Sequence, residues 1–293
     1  MISAKFGKTT VQVPSRWSDF TPQLRTVFID LCGVMDLLER DAITYNQFRA
    51  LSTIALLGVD RDKVSHKEEK QDIFFENIFR LSDLLTFTHT LRPADKEGQV
   101  VALTISLCSQ LLPTLEQKDG KIIEGYRMGL SPEGIVECTI TAEQYTDALG
   151  LVEMYSKTRT ESSLRNLTRI LYPSADLTQI HEKDMIAVYY NFRGILEWVR
   201  NLPQYQVLFV STGKPKGTPT PLGAGGSIFA LAKSGYGTLR EIRELDMFSY
   251  LSALVQMSAD SIRQLASAGL KASAISDKMS IPVEIVSDYM PND

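Results

Sequence analysis

A glycine-rich stretch is the part of this sequence that comes nearest to a site for phosphate chemistry. Gly213-Lys214 follows an apolar run at 206–210, and Gly223-Ala224-Gly225-Gly226 lies further along. A phosphate-binding loop needs the spacing G-x-x-x-x-G-K-[ST], because backbone amides cradle the phosphate and the lysine reaches it. Here Pro215 follows the lysine, and the dinucleotide pattern G-x-G-x-x-G is absent. We therefore predict that residues 211–226 form a loop or linker without a cofactor site.

The histidines and cysteines are the next candidates, because they could bind a metal ion or act as nucleophiles. The histidines are His66, His89 and His181, and none has a cysteine, histidine or carboxylate at the spacing of a metal site. The cysteines lie far apart among apolar neighbours, which is typical of buried, reduced thiols. They are Cys32, Cys108 and Cys138. We predict no metal site and no disulfide framework.

Acid–base catalysis would need a pair of carboxylates in an apolar setting. Asp36 and Asp83 are flanked by apolar residues, but their spacing also fits the polar face of an amphipathic helix. We predict that polar-face position for both. With no catalytic residue predicted, we expect a protein that is not an enzyme. An enzyme whose active site leaves no local motif stays open as an alternative.

The composition is that of a globular protein without a bias toward nucleic acid or membrane. The 293 residues are 44% hydrophobic and 23% charged, and the formal net charge is −4. A negative balance argues against nucleic acid as the main partner, because phosphate binding needs a basic surface. The N-terminus lacks the apolar segment of a signal peptide, and no apolar run reaches the ~18–20 residues of a membrane span. We expect a cytoplasmic protein, or one that is assembled from the cytoplasm into a larger particle.

Helix N-termini are marked by a phrase that occurs twice. Ile43-Thr44-Tyr45-Asn46-Gln47-Phe48 and Ile140-Thr141-Ala142-Glu143-Gln144-Tyr145 share the pattern I-T-x-x-Q-aromatic. In such a capping box the threonine accepts from the backbone N–H three residues on, and the glutamine side chain accepts from the N–H of the threonine. Thr238-Leu239-Arg240-Glu241 has the same spacing. Each of the three predicts the start of a helix.

Apolar periodicity predicts a mainly α-helical fold with short β-hairpin elements, in the α+β class. The spacing predicts a hairpin over 5–13 and helices over 70–87 and 182–200. The run at 206–210 favours a strand, while glycines and a proline favour irregular structure over 120–134.

The composition also predicts how the chain is divided. We expect a mainly helical domain with short strands over 1–210, the Gly/Pro-rich linker at 211–226, and a helical domain over 227–293.

The C-terminal region has the apolar spacing of a helix-turn-helix unit. Three helices are expected, at 259–268, 271–279 and 283–290. The arrangement resembles the small tri-helical DNA-binding modules of recombinases and regulators. The third helix, which would read the bases, has no Arg or Lys, so contact with nucleic acid is not expected. A DNA-binding transcriptional regulator that uses this unit stays open as the alternative function.

Three passages resemble a family of uncharacterised tail-gene proteins of Bacteroidetes phages and prophages. The passages are Val13-Pro14 with Trp17, Asp19 and Thr21; Ile140–Tyr145 leading to Leu167–Pro173; and Gly226–Thr238 followed by Tyr250-Leu251. The resemblance implies a phage tail or virion-assembly protein, either of the tail assembly chaperone kind or a structural component. Its partners would be other tail or virion proteins, or copies of itself, in the bacterial host cytoplasm or in the virion.

One helix is predicted to carry the contact surface. In the predicted helix at 246–257, Tyr250, Leu254 and Met257 stand beside a core stripe of other apolar residues. Apolar positions on more than one face suit a helix that meets another chain as well as its own core. We therefore predict that these three residues bind a partner protein.

Overall fold

The computed structural model describes residues 1–6, 9–58, 68–93, 99–130, 136–213 and 225–290. These ranges contain twelve α-helices and four two-stranded antiparallel sheets, which confirms the predicted mainly α, α+β fold class. Within the same ranges, no helix has the length and apolar character needed to cross a membrane.

Short strands alternate with longer helices along the chain. The strands are β1 (Ile2–Phe6), β2 (Thr9–Val13), β3 (His89–Pro93), β4 (Gln99–Leu103), β5 (Thr114–Glu116), β6 (Ile122–Glu124), β7 (Met128–Leu130) and β8 (Val136–Cys138). The helices are α1 (Arg25–Glu39), α2 (Tyr45–Leu57), α3 (Glu68–Ser82), α4 (Ala142–Thr158), α5 (Glu161–Leu171), α6 (Glu182–Arg200), α7 (Gln206–Phe209), α8 (Gly225–Lys233), α9 (Leu239–Glu244), α10 (Met247–Ser267), α11 (Ala272–Met279) and α12 (Val283–Tyr289). Each odd-numbered strand pairs with the strand that follows it.

The chain divides into two compact units, and each is built from two separate stretches. The first unit comprises Met1–Gly125 and Thr158–Glu197, and the second comprises Tyr126–Lys157 and Trp198–Asp293. This division differs from the predicted boundary at 211–226. Most of that segment, residues 214–224, lies outside the described residues. Local composition indicates a loop, but it carries no information about which distant segments fold together.

All three predicted capping boxes are present. The Thr44 N–H donates to Gln47 Oε1 at 2.8 Å, and the Gln47 N–H donates to Thr44 Oγ1 at 3.3 Å. Thr141 and Gln144 make the same two bonds ahead of α4, at 3.0 and 3.2 Å. The box at Thr238 repeats them ahead of α9. These starts are fixed by bonds between residues three apart, so the local sequence is enough to locate them.

Buried side chains of α1 and α6 form much of the core of the first unit. They include Phe28, Leu31, Met35, Tyr189, Phe192 and Ile195, all fully buried. Because Gly194 has no side chain, the backbone of α6 lies close to Leu107, whose N–H donates to the Gly194 carbonyl at 3.0 Å. A Cβ at Gly194 would lie only 2.8 Å from Leu107 Cδ1, so a larger residue would displace that segment.

In the second unit a single helix, α10, replaces two predicted helices. The predicted segments 246–257 and 259–268 are continuous in α10. Asp246 begins it, because its carboxylate accepts from the N–H groups of Phe248 and Ser249 at 2.9 and 3.1 Å. The predicted helices that follow are confirmed as α11 and α12, which complete a tri-helical unit with the C-terminal half of α10.

Two predictions of local structure are wrong. The apolar run at 206–210, predicted as a strand, contains the single helical turn α7, and Val207 packs with Ile262 and Ile275 in the core of the tri-helical unit. Periodicity cannot separate a strand from a helix over so short a run. The segment 120–134, predicted to be irregular, contains β6 and β7.

Candidate functional site

A partly buried cluster of charges lies in the first unit, where the sequence predicted only a polar helix face. The cluster consists of Asp36, Glu39, Arg159, Tyr190 and Arg193, and we call it the ion cluster. Asp36, predicted to face solvent, is only 3% exposed. Its carboxylate pairs with Arg40 of the same helix at 2.6 Å and with Arg159 at 3.3 Å. Asp83, by contrast, keeps 69% of its side chain exposed, as predicted.

Glu39 lies at the centre of the ion cluster. Its carboxylate accepts hydrogen bonds from Arg159 Nη2 at 2.6 Å, from Arg193 Nη1 at 2.7 Å and from Tyr190 Oη at 2.7 Å. Arg193 also lies over the Tyr190 ring, with its guanidinium carbon 5.7 Å from the ring centroid. The cluster therefore joins α1, the turn before α5 and α6 by charge-assisted hydrogen bonds.

The pKa values in the ion cluster favour a structural role. Burial alone would raise the pKa of Glu39, but Arg193, Tyr190 and Arg159 together lower it below its ordinary value. Burial raises the pKa of Tyr190, and the negative charge of Glu39 raises it further. Proton transfer in catalysis is most efficient when the pKa of the group lies near the working pH. The pKa values of Glu39 and Tyr190 are shifted away from neutrality, which favours a structural role for the cluster over proton transfer.

A polar cavity of about 340 Å³ also lies in the first unit. Its charged lining residues are Arg25, Glu116, Lys118, Lys183 and Asp184, together with His181. The Arg25 guanidinium lies 3.5 Å from the carboxylate of Asp184. Burial raises the pKa of that carboxyl more than Arg25 and Lys183 lower it. Cations and carboxylates are mixed in this lining, so the cavity does not offer a concentrated charge of one sign.

His89 is a buried side chain with a polar contact at each ring nitrogen. Its ring nitrogens lie 2.9 Å from Tyr45 Oη and 3.1 Å from Thr88 Oγ1. Burial and the charge of Arg49 lower its pKa. In the part of the chain that the structure describes, no group of three or more His, Cys, Asp or Glu side chains could hold a metal ion. His66 lies outside that part.

The three cysteines are free thiols. Cys32 is fully buried, and the other two, Cys108 and Cys138, are half-buried. Burial raises the pKa of Cys138 to about 11, which keeps its thiol protonated at neutral pH.

Helix α3 exposes aromatic side chains that the sequence interpretation did not single out. Phe75 is 44% exposed and Phe79 is 38% exposed, while the adjoining side of the helix packs on α2 through Phe74 and Ile78. Residues four apart are neighbours on a helix surface, so the two rings lie side by side. Glu76 and Arg80, both exposed, follow the two rings along one flank. We call Phe75, Glu76, Phe79 and Arg80 the α3 face.

The three residues predicted to bind a partner share one side of α10 but differ in burial. Tyr250 is 1% exposed, its ring centroid is 6.1 Å from that of Tyr145, and its hydroxyl is bonded to Ser227. It belongs to the core of the second unit, so the prediction that it lies on a contact surface is corrected. Leu254 and Met257 are half-buried, and Met257 lines a polar cavity of about 400 Å³. For these two residues partner binding stays a prediction.

The tri-helical unit presents acidic side chains on the helix that would read DNA. Ile262, Ile275, Ile281 and Val286 form its core, while Glu284 and Asp288 of α12 are exposed. Two carboxylates on that helix would repel the phosphates of a duplex.

Among these features, the α3 face is the one that combines exposed aromatic rings with flanking charges, a composition typical of protein contact surfaces. The ion cluster is internally paired, and the cavity mixes both signs of charge. No protein-family model matches this chain, and neither a curated protein nor a solved structure matches it.

Proposed function

We propose that this chain is a non-enzymatic assembly or structural protein of a phage or prophage tail, and that it acts through protein–protein contacts. The exposed aromatic pair of the α3 face is the observation that carries the proposal. The assignment to a phage or prophage tail is supported by the resemblance of three sequence passages to tail-gene proteins. The partners would be other tail or virion proteins and copies of this chain, in the host cytoplasm or in the particle.

The α3 face has the composition of a protein contact. Burying a fully exposed aromatic side chain contributes about 1.5–3 kcal/mol, and each of these half-buried rings would contribute less than half of that. Phe75 and Phe79 would supply that apolar centre. Glu76 and Arg80 would stay at the rim, where charges set the orientation of the partner more than the affinity.

A DNA-binding regulator is the alternative, and the tri-helical arrangement of α10, α11 and α12 is the observation in its favour. The exposed acids Glu284 and Asp288 weigh against it. A gel-shift titration over a range of salt concentrations separates the two functions. A regulator must form a specific complex above the non-specific background, whereas we expect no such complex.

Site-specific photo-crosslinking tests the proposal directly. A benzophenone amino acid would replace Phe75 or Phe79 in cells in which the prophage is induced, and Ile122, which is also exposed in the first unit, would serve as the control position. We expect adducts from positions 75 and 79 with a tail or virion protein of the same particle, the chain itself included. If neither position gives more protein adduct than position 122, the proposal is wrong.

The neighbouring genes give an independent test. A tape-measure or tail-tube gene beside this one would support a tail protein, while a set of metabolic genes would contradict it.

A further inference from the structure

We propose that the α3 face binds the α3 face of a second copy of this chain, with the two helices antiparallel about a two-fold axis. This inference rests on the proposed function, in which the α3 face is a protein contact. It goes further because it names the occupant and the pairing of side chains.

One side of α3 is already occupied within the chain. Phe74 and the fully buried Ile78 pack against Ala50 and Ile54 of α2 within the same chain. Phe75 and Phe79 lie beyond the edge of that packed side. A second helix can therefore lie along α3 without displacing α2.

The charges on the α3 face are complementary to themselves when the helices run in opposite directions. Glu76 and Arg80 lie four residues apart on one flank of the aromatic pair, so they point to the same side of the helix. A two-fold axis that passes near residue 78 brings that flank of one helix against the same flank of its copy. Glu76 then faces Arg80 of the second copy, and the symmetry repeats the pair. In a parallel pair the two-fold axis would run along the helices and place the two charged flanks on opposite sides of the contact, so this pairing would not form.

Both charged side chains are available for this pairing. Glu76 and Arg80 are both exposed, and none of the ion pairs observed among the described residues includes either side chain. The pairing across the axis would place two ion pairs beside four aromatic rings, with one Glu76, one Arg80 and two rings from each copy. Partial exclusion of water by those rings strengthens the attraction between the charges.

The size of the contact predicts a weak dimer. One pair of short helices buries far less than the ~1,200–2,000 Å² of a stable specific interface. We therefore expect association that depends on concentration and on salt, because the ion pairs lie at a solvent-exposed rim. In a growing tail, repeated copies at high local concentration would offset that weakness.

Charge exchange in the full-length protein tests the inference. Sedimentation equilibrium at low salt would compare the wild type with Glu76→Arg, Arg80→Glu, and the double variant Glu76→Arg/Arg80→Glu. We expect each single change to weaken the dimer at least tenfold and the double change to return it to within about threefold of the wild type. Arg92→Glu, a reversal at another exposed arginine of the first unit, is the matched control and should leave the dimer unchanged. Circular dichroism confirms that each variant folds.

The outcomes separate this inference from the proposed function. A wild type that stays monomeric at every concentration overturns the inference, while adducts with another tail protein at positions 75 and 79 would leave the proposed function intact. A double variant as weak as the single variants also overturns the inference, because it rules out the antiparallel pairing of Glu76 with Arg80. Crosslinks from position 75 to a second copy, together with rescue of the dimer by the double change, support both the inference and the proposed function.

Discussion

At the scale of single residues, Glu39 is the side chain on which most of the charge pairing in the first unit depends. It accepts from Arg159, Arg193 and Tyr190, each within 2.7 Å. If Glu39 lost its negative charge, the guanidinium groups of Arg159 and Arg193 would stay in a partly buried site without the counter-charge that they share. Leaving a buried charge unpaired costs more than the intact pair contributes.

We predict that Glu39→Gln lowers the free energy of unfolding by about 2 kcal/mol. This is less than the ~3–5 kcal/mol expected when a fully buried pair is broken, because Glu39 keeps 18% of its side chain exposed. Urea unfolding followed by circular dichroism measures the change. The control is Glu161→Gln, which removes an exposed pair with Arg165 and should change the stability by less than about 1 kcal/mol. Equal effects of the two variants would show that the ion cluster is not structural.

A second prediction at this scale concerns His89 and mildly acidic pH. Burial and Arg49 hold its pKa in the folded protein below the ordinary value of 6.5. His89 therefore binds a proton more readily in the unfolded chain than in the folded protein. The stability that its neutral form contributes is present above about pH 6.5 and is lost as the pH falls below that value. We expect the urea midpoint to decrease between about pH 7.5 and pH 5.5, and His89→Gln to reduce this decrease. An unchanged pH dependence in the variant would assign the effect to other groups.

At the scale of elements, the threonine caps offer the clearest test. Replacing Thr44 or Thr141 by Ala removes the acceptor for the N–H three residues on. Each change should lower the free energy of unfolding by about 0.5–2 kcal/mol without selectively abolishing partner binding. Thermal melting of each variant measures its stability, and photo-crosslinking from position 75 in the same variant measures its partner binding. A variant that keeps its stability but loses its crosslinks would contradict the architectural role.

A further prediction separates core from surface on α10. Tyr250→Ser should lower the stability of the second unit by about 3–5 kcal/mol, the range for deleting a large buried aromatic side chain, because Tyr250 packs on Tyr145. Met257→Ser, at a half-buried position on the same helix, should have a smaller effect. Urea unfolding of the two single variants measures the loss of stability in each. Equal losses would mean that Met257 also belongs to the core, and its predicted partner contact would then be withdrawn.

The elements that the sequence predicted well are those whose signals are local. The capping boxes and α6 follow from residues three or four apart, and each is present as predicted. The burial of Asp36 could not be predicted in that way, because its partner Arg159 lies 123 residues away. The strand predicted at 206–210 failed for a related reason. A short apolar run has no periodicity, and the packing of Val207 decides its conformation.

At the scale of the whole molecule, the prediction that Tyr250 lies on a contact surface is wrong for a physical reason. Apolar residues over more than one face indicate that a helix is covered on several sides, but they do not say what covers each side. On α10 the extra face at Tyr250 is covered by the second unit itself. The same signal was present in Phe74-Phe75 and Phe79 of α3, where the outer rings stay exposed. Only the three-dimensional structure distinguishes the two cases.

The central claim is that the chain acts in tail assembly through the α3 face, and the number of tailed particles tests it most directly. A prophage that lacks the gene would be complemented with the wild type, with Phe75→Gln/Phe79→Gln, or with Leu37→Gln/Ile122→Gln, which changes two exposed apolar residues elsewhere in the first unit. Glutamine suits a helix interior, so the α3 variant should stay folded. Counting by electron microscopy should give full tail formation for the wild type and the control, and at least a tenfold loss for the α3 variant. Normal tails with the folded α3 variant, or with no complementing gene at all, would contradict the account.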